Sequence, residues 1–529
     1  MSKEILLKIA ISKIPYLLSL QDRNPFSPTY GSFDREHWQY KKTDTPYASV
    51  QGAVLSLTLL YKNKLPNNPY YKNKRILEWI VAGIKFLAKI QKRNGSFDEY
   101  YPNEKSYIGT ALTMYPCAEA FYLIKNEVKK EDKKIIIQVL EKAANFLATN
   151  IEPKVMNQEA MATLSIYCIN QTLKKTRLQK SVNKKIKFIL QNQTKEGWFP
   201  EYEGCDVGYL SYTIDFLATY YQKSKDKRVI KPINDAIEFI SYLIHPNGTA
   251  GGEYTARFTE YLVPHGFEVM AKNPLSNAIS IFLEKAIPTG KVTSIDRLDN
   301  RYTPLYVHQY IQTYLERSKS KKISSIPFQR KDFTKHFPEA GILIVKQGNS
   351  YIIIGTKKGG VIRIYDCKKK KIVLSDCGYV TKENNKTYSS TYLENKRNVK
   401  INNKNIIIKG KFYKVKWINS TPLNHFALRI ILSVGAISKI FRELMKKLLI
   451  TRKKLKDIKF TRKIEIKRNE MIINDKIELK KPLKVYRIDK FSFRYMPSAR
   501  FYQEQEIKTD GVEYIGYQKN FKIIKKVKL

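Results

Sequence analysis

EGWFPEYEGCDVGYLSYTIDFLATYY, residues 196–221, is the stretch on which the reading of the fold turns. A glycine turn is followed by aromatic and acidic residues, and these run into apolar positions at helical spacing. The same order recurs in IQKRNGSFDEYYPNEKSYIGTAL from Ile90 and in LIHPNGTAGGEYTARFTEYL from Leu243, and GSFD stands at both Gly31 and Gly95. One unit of helix end, glycine turn, aromatic with Glu-Tyr, and new helix is therefore repeated, which marks a repeat architecture. Glycine suits the left-handed helix stop, and the aromatic after it packs back over the helix ends.

Segments on either side carry the same helical periodicity, among them YASVQGAVLSLTLLYK from Tyr47, RILEWIVAGIKFLAKI from Arg75 and IGTALTMYPCAEAFYLI from Ile108. The series runs to about residue 320 and predicts an array of helical hairpins, closed or open. After residue 325 the chain changes to short β-branched runs with tight turns, such as GILIVKQGNSYIIIGTKKGGVIRIYD and RKIEIKRNEMIINDKIEL, which predict an antiparallel sandwich. The expected class is multidomain α + β, with helical hairpins over residues 1–325 and a β-sandwich over 326–529.

A basic amphipathic helix is expected inside the sandwich at 428–449, with Ile437, Ile440, Phe441, Leu444, Met445 and Leu448 on one face and Lys439, Arg442, Glu443, Lys446 and Lys447 on the other. From Lys439 to Arg468, thirteen Lys or Arg stand against three acids. Packing of this helix on its own sheet is the first expectation, and peripheral contact with an anionic membrane is the alternative.

Over 529 residues, 96 Lys and Arg against 48 Asp and Glu give a formal charge of +48, which favours anionic partners: acidic glycans, nucleic acid or anionic lipid. The excess is spread along the chain without a basic N-terminal arm, so a solvated surface is expected ahead of a nucleic-acid footprint. Five scattered cysteines without a CxxC pair argue against a disulfide framework or a zinc site, and nothing calls for a cofactor. The apolar start is interrupted by Lys8 and Lys13 and reads as an amphipathic helix, not a signal peptide. A cytoplasmic protein, peripheral to the inner membrane if the basic helix touches lipid, is the expectation.

Four pieces, in order, carry a resemblance: VMNQEAMATLSIY from Val155, EGWFPEYEGCDVGYLS from Glu196, HFPEAGILIVKQG from His336 and GGVIRIYDCKKKKIVLSDCGYV from Gly359. Together they resemble the heparinase II/III-like polysaccharide lyases, a family with an α/α toroid followed by a β-sandwich, and the resemblance covers most of the chain. It implies β-elimination at a uronic acid, with an acidic polysaccharide as partner. Removal of the weakly acidic C5 proton then requires neutralisation of the neighbouring carboxylate and a base and acid beside the ring.

By this resemblance Asn157 is the neutraliser, and Tyr209 takes the C5 proton, protonates the leaving oxygen, or does both. A tyrosine with its usual pKa of about 10 needs a cationic neighbour, for which Arg257 is the candidate, with Tyr254 beside it. Asn157 is equally placed to be the N-cap of the helix through Met161 and Leu164. Trp38, Gln158, Trp198, Glu201, Tyr202 and Glu253 are the expected contacts to sugar.

One departure is plain: the family's strand histidine is absent from KKGGVIRIYD, and Gln158 stands where the family commonly has histidine. None of the six histidines fits that strand position; His265 in EYLVPHGFE, close after Arg257, is the candidate to supply an imidazole from the helical side.

Two other readings stay open. A toroid glycoside hydrolase needs two carboxylates across the scissile bond, and Glu201, Glu203, Asp206, Glu253 and Glu260 are available. A glycan-binding or membrane-surface protein without catalysis needs only the charge and the aromatics. QNQTKEGW from Gln191 is also similar to a terpene-cyclase motif, but the Asp-rich acid motif of that chemistry is missing.

Overall fold

A computed structural model describes residues 3–202, 204–416, 421–433, 444, 454–489 and 511–529. The N-terminal part is helical: α1 (Lys3–Leu20), α2 (Arg35–Trp38), α3 (Ala53–Lys62), α4 (Lys74–Ile90), α5 (Tyr107–Ile124), α6 (Lys130–Thr149) and α7 (Met156–Leu173). It continues with α8 (Thr176–Gln191), α9 (Val207–Ser224), α10 (Ile230–Ser241), α11 (Pro264–Val269), α12 (Pro274–Ala286) and α13 (Thr303–Leu315).

Two kinds of helix alternate. α5 is buried on nearly every side, as a helix apolar all round must be, whereas α8 buries only the stripe Leu178, Val182, Lys185, Ile186 and Ile189. The buried kind pack on one another in sequence, α3 on α5, α5 on α7, α7 on α9, α9 on α11 and α11 on α13, and α13 returns to α3. α4, α6, α8, α10 and α12 lie against these from outside.

The echoed loops explain the regularity. Gly31, Gly95 and Gly197 take φ of 96°, 89° and 95°, and a side chain on any of them would collide with a carbonyl of an outer helix, at Ala82 of α4, Lys142 of α6 and Asp235 of α10 respectively. A glutamine bridges each close approach. Gln91 Nε2 donates to Gly95 O and Val139 O (3.1 and 3.0 Å), and Gln193 Nε2 to Gly197 O and Pro232 O (both 2.8 Å). Gln51 does the same for Gly31 and Gly83.

The C-terminal part is antiparallel. One sheet runs β1-β2-β3-β4-β5, from Phe333–Phe337 through Ile342–Gln347, Ser350–Gly355 and Val361–Asp366 to Lys371–Asp376. The other contains β6 (Tyr379–Glu383), β7 (Lys386–Ser389), β8 (Asn398–Asn402), β9 (Asn405–Lys414), β10 (Leu455–Ile466), β11 (Glu470–Ile488) and β12 (Val512–Lys528), in the order β10-β11-β6-β7-β9-β8, with β12 on β11.

Continuous burial along β2 follows from coverage of both its faces. Leu343 and Val345 share a core with Ile408, Ile464 and Ile473 of the second sheet, while Ile342 and Ile344 join the core of the helices. Fully buried Arg462 joins the sheets from within, donating to Asp376, Asp475 and the carbonyl of Gly360.

α14 (Pro422–Ser433) exposes Leu423, Phe426 and Ile430 and pairs Arg429 with Asp44 of the helical part. The helix expected at 428–449 overlaps it only at 428–433. Except for exposed Leu444, the rest of that stretch, with Ile437, Ile440, Phe441, Met445 and Leu448, lies outside the described residues. Among the described residues no helix is long and apolar enough to cross a membrane.

Candidate active site

Asp206 organises the loop around the start of α9. As N-cap it accepts from Tyr209 N (3.2 Å), and it also accepts from the hydroxyls of Thr255 (3.2 Å) and Thr259. Gly208 N donates to Thr259 Oγ1 (2.6 Å), and a side chain at Gly208 would enter the ring of Tyr261. Ala256 N reaches Cys205 O (2.8 Å). GCDVGY and GGEYTARF are thereby locked together, with Tyr209 and Arg257 on the same end of the helical array.

Asn157 comes in from α7. Val155 pairs with Glu201 as an isolated bridge, Met156 N donates to Pro200 O (3.1 Å) and Tyr202 N to Lys154 O (3.0 Å). Val155, not Asn157, occupies the N-cap, so the capping alternative fails, and the Asn157 amide instead donates to the Glu201 carboxyl. Both side chains are buried, at 7% and 5% exposure.

Arg257, 3% exposed, lays its guanidinium 4.2 Å over the ring of Tyr202, and its Nη2 has no hydrogen-bond partner among the described residues. A buried nitrogen of this kind is an unmet donor. Burial pushes Glu201 up to about 8, against the opposing pull of Arg257. Near neutral pH its carboxyl is therefore protonated, and the group formed by Asn157, Glu201 and Arg257 presents donors without a carboxylate charge.

Tyr209 is half-buried at the edge of a tyrosine cluster. Its ring meets Tyr261 edge-on at 6.4 Å, and Tyr261 lies 5.7 Å from Tyr212 and 6.1 Å from Tyr306. Burial pushes Tyr212 and Tyr261 upward, and the neighbouring tyrosines, Tyr306 before Tyr209, add to it in both. The structure thus gathers Asn157, Glu201, Tyr202 and Arg257 in one group; the guanidinium expected beside Tyr209 lies over Tyr202 instead, and Asp206 ties Tyr209 to the group from its own aromatic cluster.

Several expected residues lie elsewhere. Tyr254 is buried with its hydroxyl on His245 Nε2 (2.7 Å), in a chain with Tyr365 of the sheet, and is a junction residue, not a partner of Tyr209. His265 is buried between Asp215 (2.7 Å) and Glu316 (2.8 Å), whose charges outweigh burial and hold it protonated up to about 10; such a locked imidazolium does not serve as a base.

Trp198 packs its ring on Phe239 and commits Nε1 to Glu196 (2.9 Å), so that ring and donor are both used within the protein. Glu196 also accepts from Glu339 N (2.6 Å) and Ala340 N (2.8 Å), which makes this a helix-to-sheet joint. Trp38 is half-buried and donates to Leu20 O (2.8 Å), Gln158 is half-buried beside Asn157, and Glu253 is buried in the field of Arg363. Asp206 is committed as a cap, Glu260 is half-buried, and Glu203 lies outside the described residues.

Two features escaped the sequence. In the turn before β4, Lys358 is 4% exposed and donates to the Thr255 carbonyl, two residues from Arg257. At the first echo, Glu99, Tyr47, Tyr100 and Arg301 form a second group; the signal for it was the repeat itself. Among the described residues no cluster of His, Cys, Asp or Glu is placed to hold a metal ion.

No family model and no curated protein matches the chain. Among solved structures it is similar to the chondroitin AC lyase of Streptomyces coelicolor A3 in complex with chondroitin sulphate, with TM-score 0.55 and 8% identity, covering 92% of this chain and 68% of that one. A heparan sulfate lyase HepC mutant from Pedobacter heparinus matches at TM-score 0.43 and 9% identity, covering 99% and 82% of the two chains. A beta-L-arabinofuranosidase from Geobacillus stearothermophilus T6 matches at 0.38 and 10%, covering 100% and 95%. At such identities the likeness is one of fold. Helices followed by antiparallel sheets are an arrangement this chain shares with a polysaccharide lyase.

Proposed function

We propose that the chain is a polysaccharide lyase of α/α-toroid and β-sandwich architecture that cleaves an acidic, uronate-containing glycan by β-elimination. The observation that carries this reading is the buried Asn157–Glu201 pair beside the unpaired Nη2 of Arg257. A uronate carboxylate entering there receives the Arg257 hydrogen bond and meets a neutral Glu201, not a repelling carboxylate. Charge withdrawn from that carboxylate makes the C5 proton more acidic.

Tyr209 is the proton-transfer group of this reading. Its oxygen takes the C5 proton as the C4–O bond breaks and the C4–C5 double bond forms, and the same proton passes to the leaving oxygen. The fold likeness to a lyase solved with chondroitin sulphate supports the substrate class. The test is incubation with uronate-containing polymers while following the ultraviolet absorbance of the unsaturated uronide; reducing ends without that absorbance establish hydrolysis instead.

One observation favours a second reading, glycan binding without cleavage. The stretch KKGGVIRIYD, where the resemblance implies a strand histidine, has none, and its Lys358 is buried on the Thr255 carbonyl. Retention on an anionic-glycan column without any product supports it.

A further inference from the structure

The loop after Ile90 builds the same local arrangement as the loop that carries Glu201. In each, a left-handed glycine at Gly95 or Gly197 is followed four residues later by a buried glutamate, Glu99 or Glu201, and then by a tyrosine, Tyr100 or Tyr202. In each, an arginine from another loop lies over the tyrosine. Arg257 is 4.2 Å from the Tyr202 ring, and Arg301 is 5.6 Å from Tyr100 and 5.2 Å from Tyr47.

Glu99 accepts from Ser106 Oγ (3.1 Å) and Ser49 Oγ, where Glu201 accepts from Asn157. Burial, with Glu104 adding to it, pushes Glu99 up to about 7, so it too is partly neutral near physiological pH.

The two stations are joined through neighbouring residues: Ser106 Oγ donates to Glu99 (3.1 Å), and the hydroxyl of the next residue, Tyr107, donates to Glu159 (2.6 Å), two residues from Asn157. Tyr100 is 44% exposed, and Arg301, whose charge also reaches the buried Asp34, makes no ion pair among the described residues. A guanidinium stacked on two tyrosines is rigid, pre-organised and suited to bidentate capture of a carboxylate, while the exposed ring of Tyr100 gives a sugar a face to lie on.

We propose that Arg301, stacked on Tyr47 and Tyr100, receives the carboxylate of a second acidic sugar in the same glycan whose cleaved unit lies at Asn157 and Glu201. The substrate is then a chain with uronates at two stations of one cleft. This rests on the reading above only for the place of cleavage.

The test uses full-length Tyr209→Phe protein, which leaves oligomers uncut, and fluorescent oligomers of one uronic acid, one short and one long. The long oligomer binds at least about tenfold tighter than the short one, as one further charge-assisted contact provides. Arg301→Gln and Tyr100→Ala each remove that gain and leave binding of the short oligomer unchanged. Equal weakening of both oligomers, or no change in either, overturns the proposal. Thermal melts of the variants establish that they are folded. If native protein gives no unsaturated product yet the length-dependent gain depends on Arg301, the elimination reading fails and the second station stands; product formation without that dependence is the reverse.

Discussion

The side-chain amide of Asn157 donates to the carboxyl of Glu201, and burial keeps that carboxyl protonated up to about pH 8, well above the usual 4.5. The folded protein thus retains a proton that the unfolded chain has lost. This contribution to stability is complete below about pH 4.5 and disappears as pH rises through about 8. Glu201→Gln keeps the shape and cannot ionise. It is predicted to flatten the fall in melting temperature from about pH 6 to about pH 9, and to remove an alkaline limb in kcat/KM near pH 8, while retaining activity at neutral pH within about tenfold. Parallel pH profiles of the two proteins contradict this.

His265 lies between Asp215 and Glu316 with its folded pKa raised to about 10. Its stabilisation is full below about pH 6.5 and is lost as pH rises through about 10. His265→Gln removes the cation between the two carboxylates and leaves Glu316 with Gln222 and the field of Lys223, a loss expected to cost about 3 kcal/mol. Urea unfolding at neutral pH measures it. KM for glycan stays unchanged where the variant is folded, because His265 stands apart from the proposed site.

Gly208 has the ring of Tyr261 where a side chain would be. Gly208→Ala must displace Tyr261 or the first turn of α9, at a cost of about 1–3 kcal/mol. Because Tyr209 is the next residue, the loss in kcat is predicted to exceed what the fall in melting temperature explains; both are read on the same preparation.

Trp198 holds Glu196 at the joint between helices and sheet. Trp198→Phe loses that hydrogen bond and about 1 kcal/mol of stability, with glycan affinity unchanged. A loss of affinity in calorimetry without a loss of stability contradicts the structural assignment.

The repeated helix–glycine–aromatic unit was legible because left-handed glycines and their bridging glutamines, Gln91 and Gln193, recur at fixed offsets in the chain. The change from helical to β-branched patterning after residue 325 was equally plain, since continuous burial along β2 leaves an apolar run. The direction of individual side chains was not legible. Nothing local distinguishes Tyr254, whose hydroxyl turns to His245, from Tyr202, whose ring meets Arg257, because both follow a glutamate in echoed loops. The Glu201 partner of Asn157 was hidden for a related reason: the two are brought together by the bridge between Val155 and Glu201, a long-range pairing with no periodic signal. Arg301 and Lys358 carry no local signal, because their contacts come from segments far apart in sequence.

The most direct measurement of the central claim is the rate at which Tyr209→Phe forms unsaturated uronide from an acidic glycan that native protein cleaves. Loss of the proton-transferring hydroxyl is predicted to lower kcat by about 100-fold or more, with KM and melting temperature nearly unchanged. Full activity in Tyr209→Phe contradicts the account.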